Sequence, residues 1–145
     1  MSHDHHEREI MGLLCEYCDR VDRGDLDGFA ALFADGVWGI AGDLAAGQEA
    51  VRRVLDNVII YEGTPNTRHL MSNVRIAVDE GGRDATASCC ITVMQCVPDD
   101  FPLQAIFIGT YRDRLTRRGG QWHFVERVIE PDLVGDMSRH RSDMA

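Results

Sequence analysis

Lysine is absent from this chain, whose 15 basic residues are all arginine. A GC-rich coding bias accounts for that usage, and its one chemical consequence is that no Schiff-base lysine operates here. No apolar run approaches the roughly 20 residues needed to cross a bilayer. The opening residues, Met1-Ser2-His3-Asp4-His5-His6-Glu7, lack the basic and apolar regions of a secretory signal, which points to a cytoplasmic protein with no membrane partner. Phosphate binding needs clustered positive charge, whereas this chain carries a net charge of −9 spread over both halves. Nucleic acid and anionic surfaces are therefore excluded as partners. Nor is there a phosphate-binding glycine loop or a nucleophilic serine motif.

Metal ligation fails on spacing. Cys15 and Cys18 have the separation of half a zinc site, but they lie within a helical pattern and no second Cys or His pair follows at ligand spacing. Cys89 and Cys90 are neighbours in a strand and point to opposite faces. With Cys96 they read as small buried residues in a reducing compartment. His3, His5 and His6 belong to a stretch expected to fray. No metal and no cofactor is expected.

What is present is enough apolar sequence for a core: 145 residues, 44% hydrophobic against 27% charged. That fits a single domain over 1–145, with 1–5 and 134–145 as frayed tails. Ile10, Leu13, Leu14, Tyr17, Cys18 and Val21 recur at helical spacing and predict a first helix over about 5–22, ended by Gly24. Asp25 then reads as the N-cap of a short helix burying Leu26, Phe29, Ala30, Leu32 and Phe33. Val37–Ile40 is strand-like, and Gly47 opens a third helix that ends near Ile60.

From there the period becomes alternating. It predicts strands near 67–79, 84–97, 103–117 and 121–131, joined by turns short enough to imply an antiparallel meander. Three N-terminal helices followed by a long curved antiparallel sheet make an α+β domain of cone-like shape. A concave sheet only partly filled by helices leaves an apolar pocket at its open end, the natural ligand site.

Asp22 stands at a helix C-terminus, where the macrodipole disfavours negative charge, so its carboxylate needs a partner. His69, at the start of the first long strand, supplies one if Asp22 orients its ring and leaves the other nitrogen as a general base. Spacing alone equally admits Asp22 as a turn cap and His69 as a surface histidine. Tyr17, five positions before Asp22, is turned about 140° from it on an ideal helix, so the two would flank a ligand. Arg127 sits mid-strand between Val125 and Ile129, and is either paired with a carboxylate on another strand or aimed into the pocket to hold an anion. Phe33, Trp38, Tyr61, Met94, Phe107 and Tyr111 are core or pocket walls, with Ile129 beside them.

The run from Tyr17 to Ala34, the segment Thr67-Arg68-His69-Leu70-Met71-Ser72-Asn73, the strand Gly109-Thr110-Tyr111-Arg112-Asp113 and the ending Gly120-Gln121-Trp122-His123-Phe124 resemble SnoaL-like domains of the nuclear transport factor 2-like superfamily. The resemblance covers nearly the whole chain and implies a cone-shaped α+β barrel. Its nearest branch is that of scytalone dehydratase, bile acid 7α-dehydratase and hexachlorocyclohexane dehydrochlorinase. It implies His69 as base, Asp22 behind it, Tyr17 as the first-helix tyrosine, and Arg127 as the last-strand arginine of the dehydrochlorinase.

Two departures stand out. The strand reading Ile91-Thr92-Val93-Met94 lacks the further acid of the bile acid enzyme. The proton-shuttling aspartate of ketosteroid isomerases would fall near Ala41, and Asp43 meets it only after a register change. The resemblance thus implies a cofactor-independent lyase, dehydratase-like, acting on a hydrophobic cyclic or polyketide-like small molecule. The alternatives are a non-catalytic binding module, or a cyclase or isomerase in the same pocket. Pocket walls are expected from Phe33, Trp38, Met94, Phe107 and Ile129, and a homo-oligomer (dimer or trimer) through the outer face of the sheet.

Overall fold

A computed structural model describes residues 2–144. Helix α1 (His3–Asp22) buries Ile10, Leu14, Tyr17, Cys18 and Val21, the stripe its spacing demands. It begins earlier than expected, because the Ser2 hydroxyl caps it by accepting from the His5 N–H. Nor does this end fray: His6 is 3% exposed, and its Nδ1 accepts from Trp122 Nε1 at 3.2 Å.

At the other end the Gly24 N–H reaches the Val21 carbonyl at 3.0 Å and the Asp25 N–H reaches that of Arg20 at 2.8 Å. This double closure requires a left-handed residue at Gly24, whose φ is +82°. A Cβ there would also lie 2.0 Å from the Gly63 carbonyl oxygen. Asp25 then caps α2 (Leu26–Ala31) by accepting from the Gly28 N–H at 2.9 Å. Chain direction reverses within a few residues, leaving Asp22 at the last helical position.

Strands β1 (Val37–Ile40) and β2 (Asp43–Ala46) form a hairpin before α3 (Gln48–Val54), which passes into a 3₁₀ turn at Leu55–Asn57. Strands β3 (Thr67–Val78), β4 (Asp84–Val97), β5 (Phe101–Arg118) and β6 (Gln121–Val134) follow. They make one sheet in the order β2-β1-β6-β5-β4-β3. The last four strands are the expected antiparallel meander. The sheet as a whole is mixed, because β1 pairs parallel to β6 with Trp38 opposite Arg127. The expectation of three helices followed by the sheet is corrected accordingly: a strand pair separates the second helix from the third, and the third is shorter than predicted. The β1–β6 pairing joins segments far apart in the chain and leaves no local signature.

Helix α1 packs on β3 and β6, and the core between them gathers Ile10, Leu14, Phe29, Phe33, Ile91, Leu115 and Phe124. Along β4 the odd-numbered residues Ala85 to Val93 face this core. In β6 the alternation slips by one residue. Leu115 pairs with Phe124 and Arg114 with Glu126, so Val125 is a bulge residue. That insertion puts Phe124 and Arg127 on the same inner face, whereas strict alternation had opposed them.

The expectation of a frayed C-terminus is also overturned. After β6 the chain folds back, and Met137 packs against the core. The Ile59 N–H donates to the His140 carbonyl at 2.9 Å. The Arg139 carbonyl accepts from Tyr61 Oη at 2.5 Å and from the buried Gln95 Nε2 at 3.0 Å. These backbone bonds, rather than apolar periodicity, hold the segment in place.

Candidate functional site

Because β3 is an edge strand, the His69 N–H is spare, and it donates to Asp22 Oδ2 at 2.7 Å. Asp22 Oδ1 accepts from the Thr67 hydroxyl at 2.9 Å and meets His69 Nδ1 at 2.6 Å. The His69 and Asp22 side chains are only 8% and 10% exposed. Burial pushes the Asp22 pKa up, but the hydrogen bonds and charge of His69, with Thr67, outweigh it and hold it below the usual carboxylate value. An ionised carboxylate can only accept, so His69 carries its proton on Nδ1. Its Nε2 makes no hydrogen bond among the described residues, and the ring lines a cavity of about 350 Å³.

That cavity is walled mainly by apolar residues, among them Val21, Phe29, Trp38, Val93, Phe107 and Ile129, with Tyr17, Tyr111, His69 and His140 among its polar groups and Asp43, Arg141 and Asp143 also on its lining. Tyr17 Oη accepts from Trp38 Nε1 at 3.0 Å and shares a hydrogen bond with Tyr111 Oη at 3.4 Å. Burial pushes Tyr17 up to about 12 and Tyr111 well above its ordinary value, so both phenols keep their protons. Trp38 can only donate. Two phenolic protons therefore serve one bond between the rings, and one O–H remains to offer to a ligand in the cavity.

Arg127 is the largest correction among the site residues. It is fully buried, and its Nε and Nη2 donate to Asp113 Oδ1 and Oδ2 at 2.7 and 2.8 Å. Its guanidinium lies 4.4, 4.2 and 4.8 Å from the ring centres of Tyr17, Tyr111 and Phe124. Burial alone would weaken its charge, and Asp113 more than compensates, raising its pKa. The arginine does not line the cavity; it stands behind the two tyrosines that do. Of its two readings, pairing with a carboxylate on another strand is the one realised.

Tyr17, Trp38, Phe107 and Ile129 are brought to the cavity together with His69. Met94 is not, because even-numbered residues of β4 face outward and Val93 takes its place. Phe33 is fully buried in the core, stacked on Phe124 at 5.0 Å, and does not reach the cavity. Two functional groups escaped sequence reasoning. Asp113 had a signal, since it shares its strand face with Tyr111 and Leu115. His140 had none, because its burial is fixed by the fold-back of the C-terminal segment. Among the described residues no cluster of His, Cys, Asp and Glu has the geometry to hold a metal ion, and no helix is long and apolar enough to cross a membrane.

A mixed six-stranded sheet holding an apolar cavity against a few helices is the architecture of the nuclear transport factor 2-like, or cystatin-like, α+β class. Within that class the chain belongs to the SnoaL-like domain family, which matches residues 5–128. No curated protein matches it. Among solved structures it is similar to a variant of a Mycobacterium tuberculosis protein of unknown function, with 27% identity over 87% of this chain and 71% of that one and a TM-score of 0.72. It is also similar to a candidate scytalone dehydratase from Novosphingobium aromaticivorans, with 22% identity over 90% and 86% of the two chains and a TM-score of 0.73. A third is ActVI-ORFA from Streptomyces coelicolor, with 19% identity over 87% and 97% and a TM-score of 0.73. The last two likenesses bear on the fold alone.

Proposed function

We propose that this protein is a cofactor-independent lyase that removes water from a hydrophobic cyclic β-hydroxyketone of polyketide type. One observation carries the reading: His69 is anchored through Nδ1 to the buried Asp22 carboxylate while its ring opens on the apolar cavity. Asp22 fixes the tautomer and stabilises the imidazolium that forms, so Nε2 is the general base. It takes the proton beside the carbonyl. The C–H electron pair becomes the new C=C bond as the carbon–oxygen bond to the hydroxyl breaks, and the departing oxygen leaves as water after regaining that proton. The spare phenolic O–H of the Tyr17–Tyr111 pair meets the carbonyl oxygen as negative charge develops on it. Arg127 supports this from behind, as a buried cation that positions both rings.

A small bicyclic probe with the required groups is 3-hydroxy-1-tetralone, whose dehydration yields 1-naphthol. The native chain is expected to convert it, with mass spectrometry recording the loss of one water. His69→Gln is expected to lower turnover by about 10²–10⁴-fold, the usual worth of a positioned general base. A product of unchanged mass would make the chain an isomerase or cyclase. Tight binding without turnover, equal in the native chain and His69→Gln, would make it a binding module.

A further inference from the structure

The C-terminal segment delivers a second imidazole to the same cavity. The backbone of His140 is held on both sides, its carbonyl accepting from Ile59 and its N–H donating to the Met137 carbonyl at 3.0 Å. Val58 and Arg141 form an isolated bridge beside it. The side chain therefore sits on the cavity wall by construction, not as a loose end. His140 is 8% exposed, and its Nδ1 is enclosed without any hydrogen-bond partner among the described residues. The enclosed Nδ1 is out of a ligand's reach, whereas Nε2 is not enclosed and makes no hydrogen bond among the described residues, so Nε2 is the ring nitrogen that a ligand in the cavity can meet.

We propose that His140 touches the substrate, as an uncharged imidazole that hydrogen-bonds the hydroxyl group that departs. This rests on the lyase reading above. Burial, followed by the nearby His69 and Arg141, pushes its pKa down to about 4, against a smaller upward pull from Asp22. A neutral imidazole both donates and accepts, so it can hold a hydroxyl while that group is still bonded to carbon. His140 gains no charge in the step and His69 remains the only proton carrier: the proton leaves carbon for His69 Nε2 and ends on the departing oxygen. His69 and His140 both line the one cavity, and the ligand class is the cyclic β-hydroxyketone named above.

The test compares 3-hydroxy-1-tetralone with 1-tetralone, which lacks only the hydroxyl, by calorimetry in a His69→Gln background where turnover is slowed. The hydroxylated probe is expected to bind about five-fold tighter, the worth of one neutral hydrogen bond. Adding His140→Phe should erase that preference, while His140→Gln should keep most of it. A preference that survives His140→Phe, no preference at all, or no binding of either ketone overturns the proposal. The two readings separate cleanly. If the preference depends on His140 while the native chain forms no 1-naphthol, His140's contact stands and the lyase reading falls. If 1-naphthol forms at the native rate in His140→Phe yet not in His69→Gln, the lyase reading stands and this one falls.

Discussion

Asp22 receives three hydrogen bonds from β3: one from the Thr67 hydroxyl and two from His69, through its backbone and its ring. One carboxylate thus docks the end of α1 onto the sheet edge and aligns the ring that faces the cavity. Arg127 serves the other wall through a buried ion pair with Asp113. Removing one member leaves a buried charge unpaired, so Arg127→Met should destabilise the fold by about 3–5 kcal/mol. The double variant Arg127→Met with Asp113→Leu should recover most of that loss. Urea unfolding of the three proteins checks this. Equal losses in the single and double variants would mean that the unpaired charge is not the source of the loss. The need of Asp22 for a partner was legible from its place at a helix end, and so was the choice open to an arginine among apolar residues. Which carboxylate Arg127 meets was not, because the bulge at Val125 moves it to the opposite face from simple alternation.

At the scale of elements, the long strands were legible because alternation survives over many residues: β4 spans Asp84–Val97 as its pattern requires. Strand β1 was read at Val37–Ile40, but its partner β2 and the parallel joint to β6 were not, since a four-residue strand carries no period and the β1–β6 pairing joins distant segments. The C-terminal segment was misread for a different reason. Its burial comes from backbone carbonyls and from Gln95, which propensity does not register.

The same segment gives a pH prediction. His140 has a folded pKa of about 4 against an ordinary 6.5. The unfolded chain therefore binds the extra proton between those values, and stability falls as pH drops through that window. The contribution is intact above about pH 6.5, and about 3 kcal/mol has gone below pH 4. Asp22 adds a loss of the same sign at lower pH, since its folded pKa lies below 3.8. His140→Phe should flatten the decline between pH 6.5 and 4, measured by urea midpoints at several pH values. A slope unchanged in that variant would place the titration elsewhere.

For the whole molecule, the α+β layering and a cavity against the sheet follow from an order of elements that the sequence displays. The cavity's chemistry depends on convergence: α1 supplies Asp22 and Tyr17, β3 His69, β1 Trp38, β5 Tyr111 and the C-terminal segment His140. No single stretch of sequence contains that set, and only the fold gathers it. The central claim is that His69 removes a proton beside a carbonyl in this cavity. The most direct measurement is deuterium incorporation into 1-tetralone in D₂O, followed by NMR. This ketone has an acidic carbon but no leaving group, so exchange reports proton abstraction alone. The account predicts protein-catalysed exchange at that carbon, falling about 10²-fold or more in His69→Gln. Exchange no faster than in buffer, or equal in the native and His69→Gln proteins, would contradict it.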